Sequence, residues 1–309
     1  MQGYGRHVPG VVFVNPRAGQ GTISEDDLRE RLPDHRIEPC EPAHLAARVS
    51  RAAEDGEVEF VGVSGGDGSI GSAAGVLAEG PVPLLAIPGG TRNHFARDLG
   101  VETLDHAVRA VESGTVRSVD LGSVGDHWFV NNASIGSYPA MVRRRELHER
   151  RFRKGVSNLV AMVEQIRHGR RFVTEIDRDR HETWAVFVGN GRYGDQLADL
   201  ATRESLDDGV LDVRIVSAEG QLTRLRVVLA TLAGRLSSSP LVERICGSSV
   251  WIDLRDHEVD VALDGEVLRM RTPLVFACRP RALRVLVPTA ASDPDGTGPH
   301  VAEVTGGGR

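Results

Sequence analysis

The sequence predicts an α/β protein in which a doubly wound N-terminal domain precedes a β-rich, sandwich-like C-terminal domain. A chain of 309 residues suggests two domains at roughly 150 residues each. Up to about residue 118, short apolar runs alternate with amphipathic stretches, as in a parallel sheet covered by helices. We therefore place the α/β domain at residues 1–118 and the β-rich domain at residues 119–287. The proline- and glycine-rich residues 288–309 predict a disordered tail.

Continuous apolar runs and helix-start signals mark the elements of the first domain. Ser24 is a predicted N-cap, followed by acidic residues and by a helix that stops near Pro33. Two later strands each enter a glycine-rich turn that a helix follows. Strands are predicted at residues 11–14, 60–63 and 84–87, and the further helices at residues 43–53, after residue 69 and at residues 95–99.

The second domain is predicted to be mostly strand, with two helical interruptions. Near its end, Asp264-Gly265 separates two alternating runs, which is typical of a tight hairpin that Glu266 then continues. The other predicted strands lie at residues 119–124, 128–131, 184–188 and 211–216, and the helices at residues 140–168 and 222–232.

Composition and charge exclude several classes of protein. A net charge of −6 argues against wholesale nucleic-acid binding, which needs a basic surface. No apolar run approaches the ~20 residues of a membrane-spanning helix. The N-terminus does not resemble a secretory signal, so we expect a cytoplasmic protein. The three cysteines have no metal-site spacing and are interpreted as free thiols.

Lysine scarcity excludes two common kinds of nucleotide site. Of 37 basic residues, Lys154 is the single lysine. A Walker A loop needs a lysine directly after its second glycine, and a protein kinase needs one on a strand. Lys154, in Arg-Lys-Gly-Val, fits neither pattern.

The Gly-Gly-Asp-Gly turn at residues 65–68 is the first candidate for chemistry. Glycines between a strand and a helix let backbone N–H groups close on an anion at the positive end of the helix dipole. Glycines also occur in such turns for conformational reasons alone. Asp67 favours the first interpretation, because a carboxylate beside phosphate requires a bridging divalent cation. The turn therefore indicates a metal–nucleotide site.

Three motifs at successive strand ends resemble the nucleotide-binding motifs of the diacylglycerol kinase catalytic domain. They are Asn15-Pro16 with two following glycines, residues 65–69, and residues 88–97. The resemblance implies a nucleotide-binding domain like those of phosphofructokinases and NAD kinases, followed by a β-rich lipid-substrate domain, with the active site between them. It continues through residues 119–122, 131–136, 189–193, 208–212 and 264–266.

The resemblance implies an ATP- and Mg²⁺-dependent kinase that phosphorylates a lipid hydroxyl. Glu266 matches the general base, with Asp264 in the same catalytic hairpin, and Asp67 and Asp120 match acidic groups that organise Mg²⁺ and water. The implied ATP-binding residues are Asn15, Pro16, Arg17, Gly19, Gly65, Gly66, Asp67, Gly68, Ser69, Gly89, Gly90, Thr91 and Asn93.

The resemblance also implies a structural Mg²⁺ site, with the Asp208 side chain and the carbonyls of Ser205 and Val210 as ligands. Each of these roles has a simpler alternative. Asp208 could belong to an ordinary Asp-Gly turn, Asp120 could cap a turn, and Glu266 could be a solvated carboxylate at the hairpin.

Two alternatives to a lipid kinase stay open, an NAD-kinase-like enzyme and a catalytically silent nucleotide- or lipid-binding module. The basic segment 143–154 could hold the protein against the inner face of an anionic membrane, or could be a solvated helix face. Diacylglycerol, a sphingoid base and phosphatidylglycerol are all open as lipid partners. The oligomeric state is open too, a homodimer included.

Overall fold

The structure is a computed structural model that describes residues 10–15, 23–56, 58–136, 171–194, 203, 205–218, 223 and 239–289. Within these ranges, fifteen strands form one continuous mixed sheet. Five helices pack on its N-terminal part: α1 (Glu25–Arg31), α2 (Pro42–Glu54), α3 (Asp67–Leu77), α4 (His94–Asp98) and α5 (Leu104–Ser113).

The N-terminal part of the sheet is parallel. It contains β1 (Val11–Val14), β2 (Arg36–Pro39), β3 (Val61–Gly65) and β4 (Leu84–Pro88), in the order β2-β1-β3-β4. Three of these strands are buried along nearly their whole length, which is why they are continuous apolar runs. Ser24 starts α1 with a capping box, in which its side chain and that of Asp27 each accept from the other's backbone N–H.

The C-terminal part is almost wholly antiparallel. The β9 strand pairs with β7, β8 and β10, and β13 pairs with β7 and β14. The strands are β5 (Thr115–Val124), β6 (His127–Phe129), β7 (Asn132–Gly136), β8 (Phe172–Ile176), β9 (Asp179–Asn190), β10 (Leu211–Ser217), β11 (Val242–Gly247), β12 (Ser249–Leu254), β13 (Glu258–Leu263), β14 (Glu266–Arg271) and β15 (Leu274–Val287).

The last strand, β15, joins the two parts of the sheet. It pairs antiparallel with β12 and β5, and its Val285 lies beside Leu84 of β4 in a parallel pair. Two apolar clusters lie on either side of this junction, one beneath the parallel strands and one within the antiparallel strands. The predicted α/β domain followed by a β-rich domain is confirmed. The proposed boundary after residue 118 falls inside β5 and stays a prediction.

The elements that the sequence predicts within the described residues are present, but the structure contains others. The strand predicted at residues 128–131 ends at Phe129, and the elements that were not predicted are β2, α5, β7, β8, β11, β12 and β15. The helix predicted at residues 140–168 lies outside the described residues. Of that at 222–232, Thr223 is described, in a helical conformation. The predicted disordered tail also lies outside them from residue 290 onward.

Candidate active site

The turn from β3 into α3 has the form of an anion site. Gly66 is the helix N-cap, with φ −82° and ψ 176°, and provides no side-chain hydrogen bond to the first turn. The backbone N–H groups there lie at the positive end of an eleven-residue helix. The Ser69 hydroxyl lies over this turn, since a Cβ built on Gly65 would be 3.1 Å from its Oγ.

A second glycine loop, residues 89–93, lies directly against the first, residues 65–69. The Gly89 N–H donates to the Gly65 carbonyl at 3.0 Å. A Cβ on Gly89 would lie 2.7 Å from the Gly65 nitrogen, and one on Gly90 would lie 2.5 Å from the Gly66 Cα. Because both obstacles are backbone atoms, only glycine permits this approach.

Asn93 shapes the second loop from within. It has φ 53°, a left-handed conformation that asparagine tolerates better than most residues. Its Oδ1 accepts from the Gly90 N–H at 2.8 Å, and its Nδ2 donates to the Gly90 carbonyl at 2.9 Å. The predicted ATP contact Thr91 is exposed beside it. Asn93 therefore closes the loop that the sequence assigns to ATP.

The third predicted loop begins at the end of β1. The Asn15 N–H donates to the Ser64 carbonyl at 3.1 Å, so Asn15 adjoins the start of the first glycine loop. Pro16, Arg17 and Gly19 lie outside the described residues. Asp67 joins the first glycine loop to α4, the helix after the second loop, since its Oδ1 accepts from the Phe95 N–H at 3.2 Å.

Three glycines on one face of α3 let the β13–β14 hairpin and β6 lie directly on the helix. A Cβ on Gly68 would be 3.4 Å from Glu266 Oε1, one on Gly71 would be 3.0 Å from Asp264 Oδ2, and one on Gly75 would be 3.5 Å from Trp128. Their spacing of three and four residues places them on the same side of the helix. The Glu266 carboxylate therefore lies at the first turn of α3, against Gly68, the residue that follows Asp67 in the chain.

Asp264 fixes the turn of this hairpin. It has φ 47° and the following Gly265 has φ 94°, as in the tight turns that favour Asp-Gly. Its carboxyl group accepts three backbone N–H groups, from Val130 at 2.7 Å, Asn131 at 2.8 Å and Asn132 at 3.1 Å. Burial raises the pKa of Asp264 to about 6, although these three hydrogen bonds and the nearby Arg203 oppose the rise.

Asp120 is buried and makes different contacts. Its Oδ1 accepts from the Arg281 N–H and its Oδ2 from the Gly209 N–H, both at 2.7 Å. Among the described contacts it joins the loop of residues 205–210 to β15, and it contacts neither Asp67 nor Glu266. The structure thus places Glu266 against Gly68 and Asp264 against Gly71, on the helix that Asp67 begins, and places Asp120 at another loop.

Comparison with known families identifies the family of the chain. The model of the diacylglycerol kinase catalytic domain matches residues 9–124, and that of the YegS C-terminal NAD kinase β-sandwich-like domain matches residues 133–287. The chain belongs to the diacylglycerol kinase catalytic-domain family. It is therefore a member of a lipid kinase family, and the resemblance seen in its sequence motifs is confirmed.

Relatives of this kinase match over most of their length. A probable lipid kinase YegS-like from Pseudomonas fluorescens is 30% identical over 78% of this chain and 81% of its own. An uncharacterised Synechocystis protein is 26% identical over 93% of this chain and 72% of its own. A putative diacylglycerol kinase from Bacillus anthracis, 24% identical, shares the fold with a TM-score of 0.69 over 91% of this chain and 97% of its own.

The predicted structural metal ligands of the kinase lie around Gly191. A Cβ there would be 2.9 Å from the Ser205 carbonyl oxygen and 3.8 Å from Asp208 Oδ1. The Gly191 N–H donates to the Val210 carbonyl at 2.9 Å, and the Arg192 Nε lies 4.0 Å from Asp208 Oδ2. Carboxylate and carbonyl oxygens are the ligands that Mg²⁺ and Ca²⁺ take. Across the described ranges, no three His, Cys, Asp or Glu side chains form a metal-binding group.

Sequence reasoning missed a buried ion pair near the active site. Arg203 and Asp98 are 2.7 Å apart, and neither side chain is more than 9% exposed. Asp98 ends α4, four residues after His94. Neither residue stands in a recognisable motif, and their meeting depends on tertiary structure.

Of the helices in the described part of the kinase, none is both long and apolar enough to cross a membrane.

Replacing Gly90 with alanine should weaken ATP binding about tenfold, because a new Cβ 2.5 Å from the Gly66 Cα forces the two glycine loops apart, and such overpacking costs about 1–3 kcal/mol. Titration calorimetry with ATP measures the change. Gly247→Ala is the matched control, since its Cβ would meet nothing closer than 3.5 Å. Equal affinity in the Gly90 and Gly247 variants would contradict the role of loop stacking.

Proposed function

We propose that this kinase transfers the γ-phosphoryl group of ATP to the hydroxyl of diacylglycerol or a closely related lipid, with Glu266 as the general base. The observation that carries the proposal is the position of the Glu266 carboxylate against Gly68, at the first turn of α3. The proposed proton acceptor, Glu266, thus lies beside the end of α3 that we propose binds phosphate.

The contacts around Glu266 suit proton removal from an alcohol. Glu266 is exposed, so an incoming hydroxyl can reach its carboxylate. The turn before it is held by the three N–H groups that bind Asp264, so the carboxylate keeps its place relative to α3. Phosphoryl transfer needs little else from the protein beyond positioning and charge stabilisation.

The glycine loops supply the nucleotide side of the reaction. Backbone N–H groups at the first turn of α3 would bind phosphate oxygens, and the stacked second loop would cover the nucleotide beside them. Mg²⁺ bound with ATP would offset phosphate charge, and we assign Asp67 as the carboxylate that would hold it. The Asp67 carboxylate accepts from the Phe95 N–H of α4, the helix that follows the second loop, which supports a role for Asp67 beside both loops.

The role of Asp120 in a metal and water network stays part of the proposal. Both carboxylate oxygens of Asp120 accept backbone hydrogen bonds, from Gly209 and Arg281. These contacts support a role in which Asp120 holds the loop of residues 205–210 in place. The proposed membrane-docking segment, residues 143–154, lies outside the described residues and stays a prediction.

Transfer of ³²P from the γ-position of ATP into lipid tests the proposal. The protein is incubated with Mg²⁺ and vesicles containing diacylglycerol, and in parallel with a total bacterial lipid extract, and the products are separated by thin-layer chromatography. A labelled product that comigrates with phosphatidic acid supports diacylglycerol as the substrate. Label on another lipid would support a lipid kinase with a substrate other than diacylglycerol. The absence of any labelled lipid, in a protein that binds ATP, would refute the proposal.

We also propose that the Gly191 site binds a structural Mg²⁺ through Asp208 and the carbonyls of Ser205 and Val210. The placement of these three groups around Gly191 supports the proposal. The Arg192 Nε, 4.0 Å from Asp208 Oδ2, is the cation that would compete with Mg²⁺ for the carboxylate. Millimolar Mg²⁺ should raise the melting temperature of the wild type by about 2–4 °C for each kcal/mol of binding free energy gained.

Asp208→Asn should remove most of this Mg²⁺-dependent rise, because the carboxylate charge is lost. Differential scanning fluorimetry with and without Mg²⁺, in the absence of nucleotide, measures it. Asp126→Asn, an equal change of charge in an exposed turn, should keep the full rise. An undiminished rise in the Asp208 variant would assign the metal to other residues.

A further inference from the structure

Arg203 is a buried cation at the meeting point of the two parts of the active site. Its side chain is 1% exposed and forms the ion pair with Asp98 at the end of α4. Its guanidinium lies 5.7 Å from the centre of the Phe95 ring in the same helix. The Phe95 N–H donates to Asp67, so Arg203 packs against the helix that follows the second glycine loop.

The other guanidinium donors reach the antiparallel part of the sheet. Nη1 donates to the Val130 carbonyl at 2.6 Å and to the Asn190 carbonyl at 3.2 Å, and Nη2 donates to Asn131 Oδ1 at 3.4 Å. The backbone N–H groups of Val130 and Asn131 bind Asp264. Val130 and Asn131 thus accept hydrogen bonds from Arg203, and their own backbone N–H groups donate to Asp264 in the turn before Glu266.

Burial of this guanidinium is poorly explained by stability alone. Taking a charged pair out of water costs several kcal/mol per ion, and its mutual attraction often only balances that cost. An arginine fork, however, can hold several acceptors in one fixed geometry, which a lysine or an apolar side chain cannot. The arrangement therefore favours a role in holding α4 and the hairpin in register.

We propose that Arg203 is a positioning residue that couples the second glycine loop, through α4, to the β13–β14 hairpin. The rate measurements below rest on the proposed lipid kinase activity. The structural coupling itself does not, since every contact that carries it lies within this chain.

The charges around Arg203 determine what its removal does. Burial raises the pKa of Asp98 and of Asp264, and Arg203 opposes the rise in both. Burial also raises the pKa of Tyr193, which bonds to the Asn131 carbonyl, to about 12, so this phenol stays neutral. His94 and Asp67 act on Asp98 with opposite signs. Without the Arg203 charge, Asp264 should protonate at a higher pH than in the wild type.

Arg203→Gln should lower kcat about tenfold through misplacement of the hairpin, and should shift the acidic limb of the kcat–pH profile upward by about one unit. Arg203→Lys should restore much of the pH profile, because it keeps the charge. It should leave kcat low, because one ammonium cannot reach all the acceptors. Arg48→Gln, which breaks another ion pair that lies on α2 and β2, should change neither quantity.

Asp98→Asn is a second variant, for which the expected shift of the acidic limb of the kcat–pH profile has the opposite sign. Removing the carboxylate that pairs with Arg203 leaves more of the guanidinium charge uncompensated for Asp264 and should move the acidic limb downward, whereas a merely structural loss would move both variants alike or neither. A falling melting temperature with unchanged kcat and an unmoved pH profile in both variants would overturn the proposal.

A carboxyl titration separates failure of this proposal from failure of the proposed function. ¹³C NMR of protein labelled at the aspartate carboxyl, with Asp264→Asn used to assign the signal, follows Asp264 without any substrate. A midpoint that rises from about 6 in Arg203→Gln supports the coupling even if no lipid is phosphorylated. An identical midpoint in the wild type and the variant refutes it even if the kinase is active.

Discussion

Glu266→Gln should lower kcat by about a thousandfold, within the range that general acid–base catalysis contributes. The amide has the shape of the carboxylate but cannot take the proton of the lipid hydroxyl. The Michaelis constant for ATP should stay near that of the wild type, because nucleotide binding is assigned to the backbone of the two glycine loops. The fold should be unaffected, since Glu266 is exposed. Initial rates of lipid phosphorylation at saturating ATP measure the loss.

Glu258→Gln is the matched control for this substitution. Glu258 begins β13 at the far end of the same hairpin and forms surface ion pairs with Arg269 and Arg271. Glu258→Gln is the same chemical change at a residue that does not contact α3. The kcat of this variant should stay within about twofold of the wild-type value, because surface ion pairs contribute at most ~1 kcal/mol. Wild-type activity in Glu266→Gln would show that another group takes the proton.

The parallel strands could be predicted because burial on both faces leaves a continuous apolar run. The β1, β3 and β4 strands are fully buried, and their sequences show it. The β2 strand lies at the sheet edge with one fully buried residue, Ile37, and therefore carries no such pattern. Local patterning thus identifies the centre of the sheet better than its edge.

The β15 strand shows a different limit of sequence reasoning. Its apolar ends are separated by a charged stretch with Pro280, and its pairing with β5 shifts register between Arg279 and Leu283. Within that irregular stretch the Arg281 N–H binds Asp120. Two of its partners, β5 and β4, lie more than a hundred residues away in the sequence, so no local window of sequence could reveal these pairings.

The candidate site also has features that local sequence predicts and contacts that it does not. Each motif could be assigned from its own residues, since glycines, an aspartate and an Asp-Gly turn have recognisable local chemistry. The meeting of Glu266 with Gly68, and of Asp264 with Gly71, depends on a hairpin packing on a helix almost two hundred residues earlier. The Arg203–Asp98 pair had no local signal at all, because an arginine in an arginine-rich chain is indistinguishable from its neighbours.

Asp264→Asn should lower kcat about a hundredfold by misplacing the hairpin, the scale that an error of about 1 Å in a catalytic group produces. The ionised carboxyl group accepts three N–H groups with two oxygens, whereas an amide offers one oxygen and turns its NH₂ toward a backbone donor. Asp256→Asn, an equal change in the exposed turn before β13, should leave the rate unchanged.

The pH profile distinguishes this positioning role from a simple loss of stability. Because burial raises the pKa of Asp264 to about 6, the wild-type carboxyl group is ionised above that pH and gains a proton below it. Protonation removes an acceptor from the anchor, so wild-type kcat should fall as the pH drops through about 6. Asp264→Asn never ionises, so its low kcat should lack that limb when rates are measured between pH 5 and 8. A limb with the same midpoint in both proteins would place the titrating group elsewhere and remove Asp264 from the positioning of Glu266.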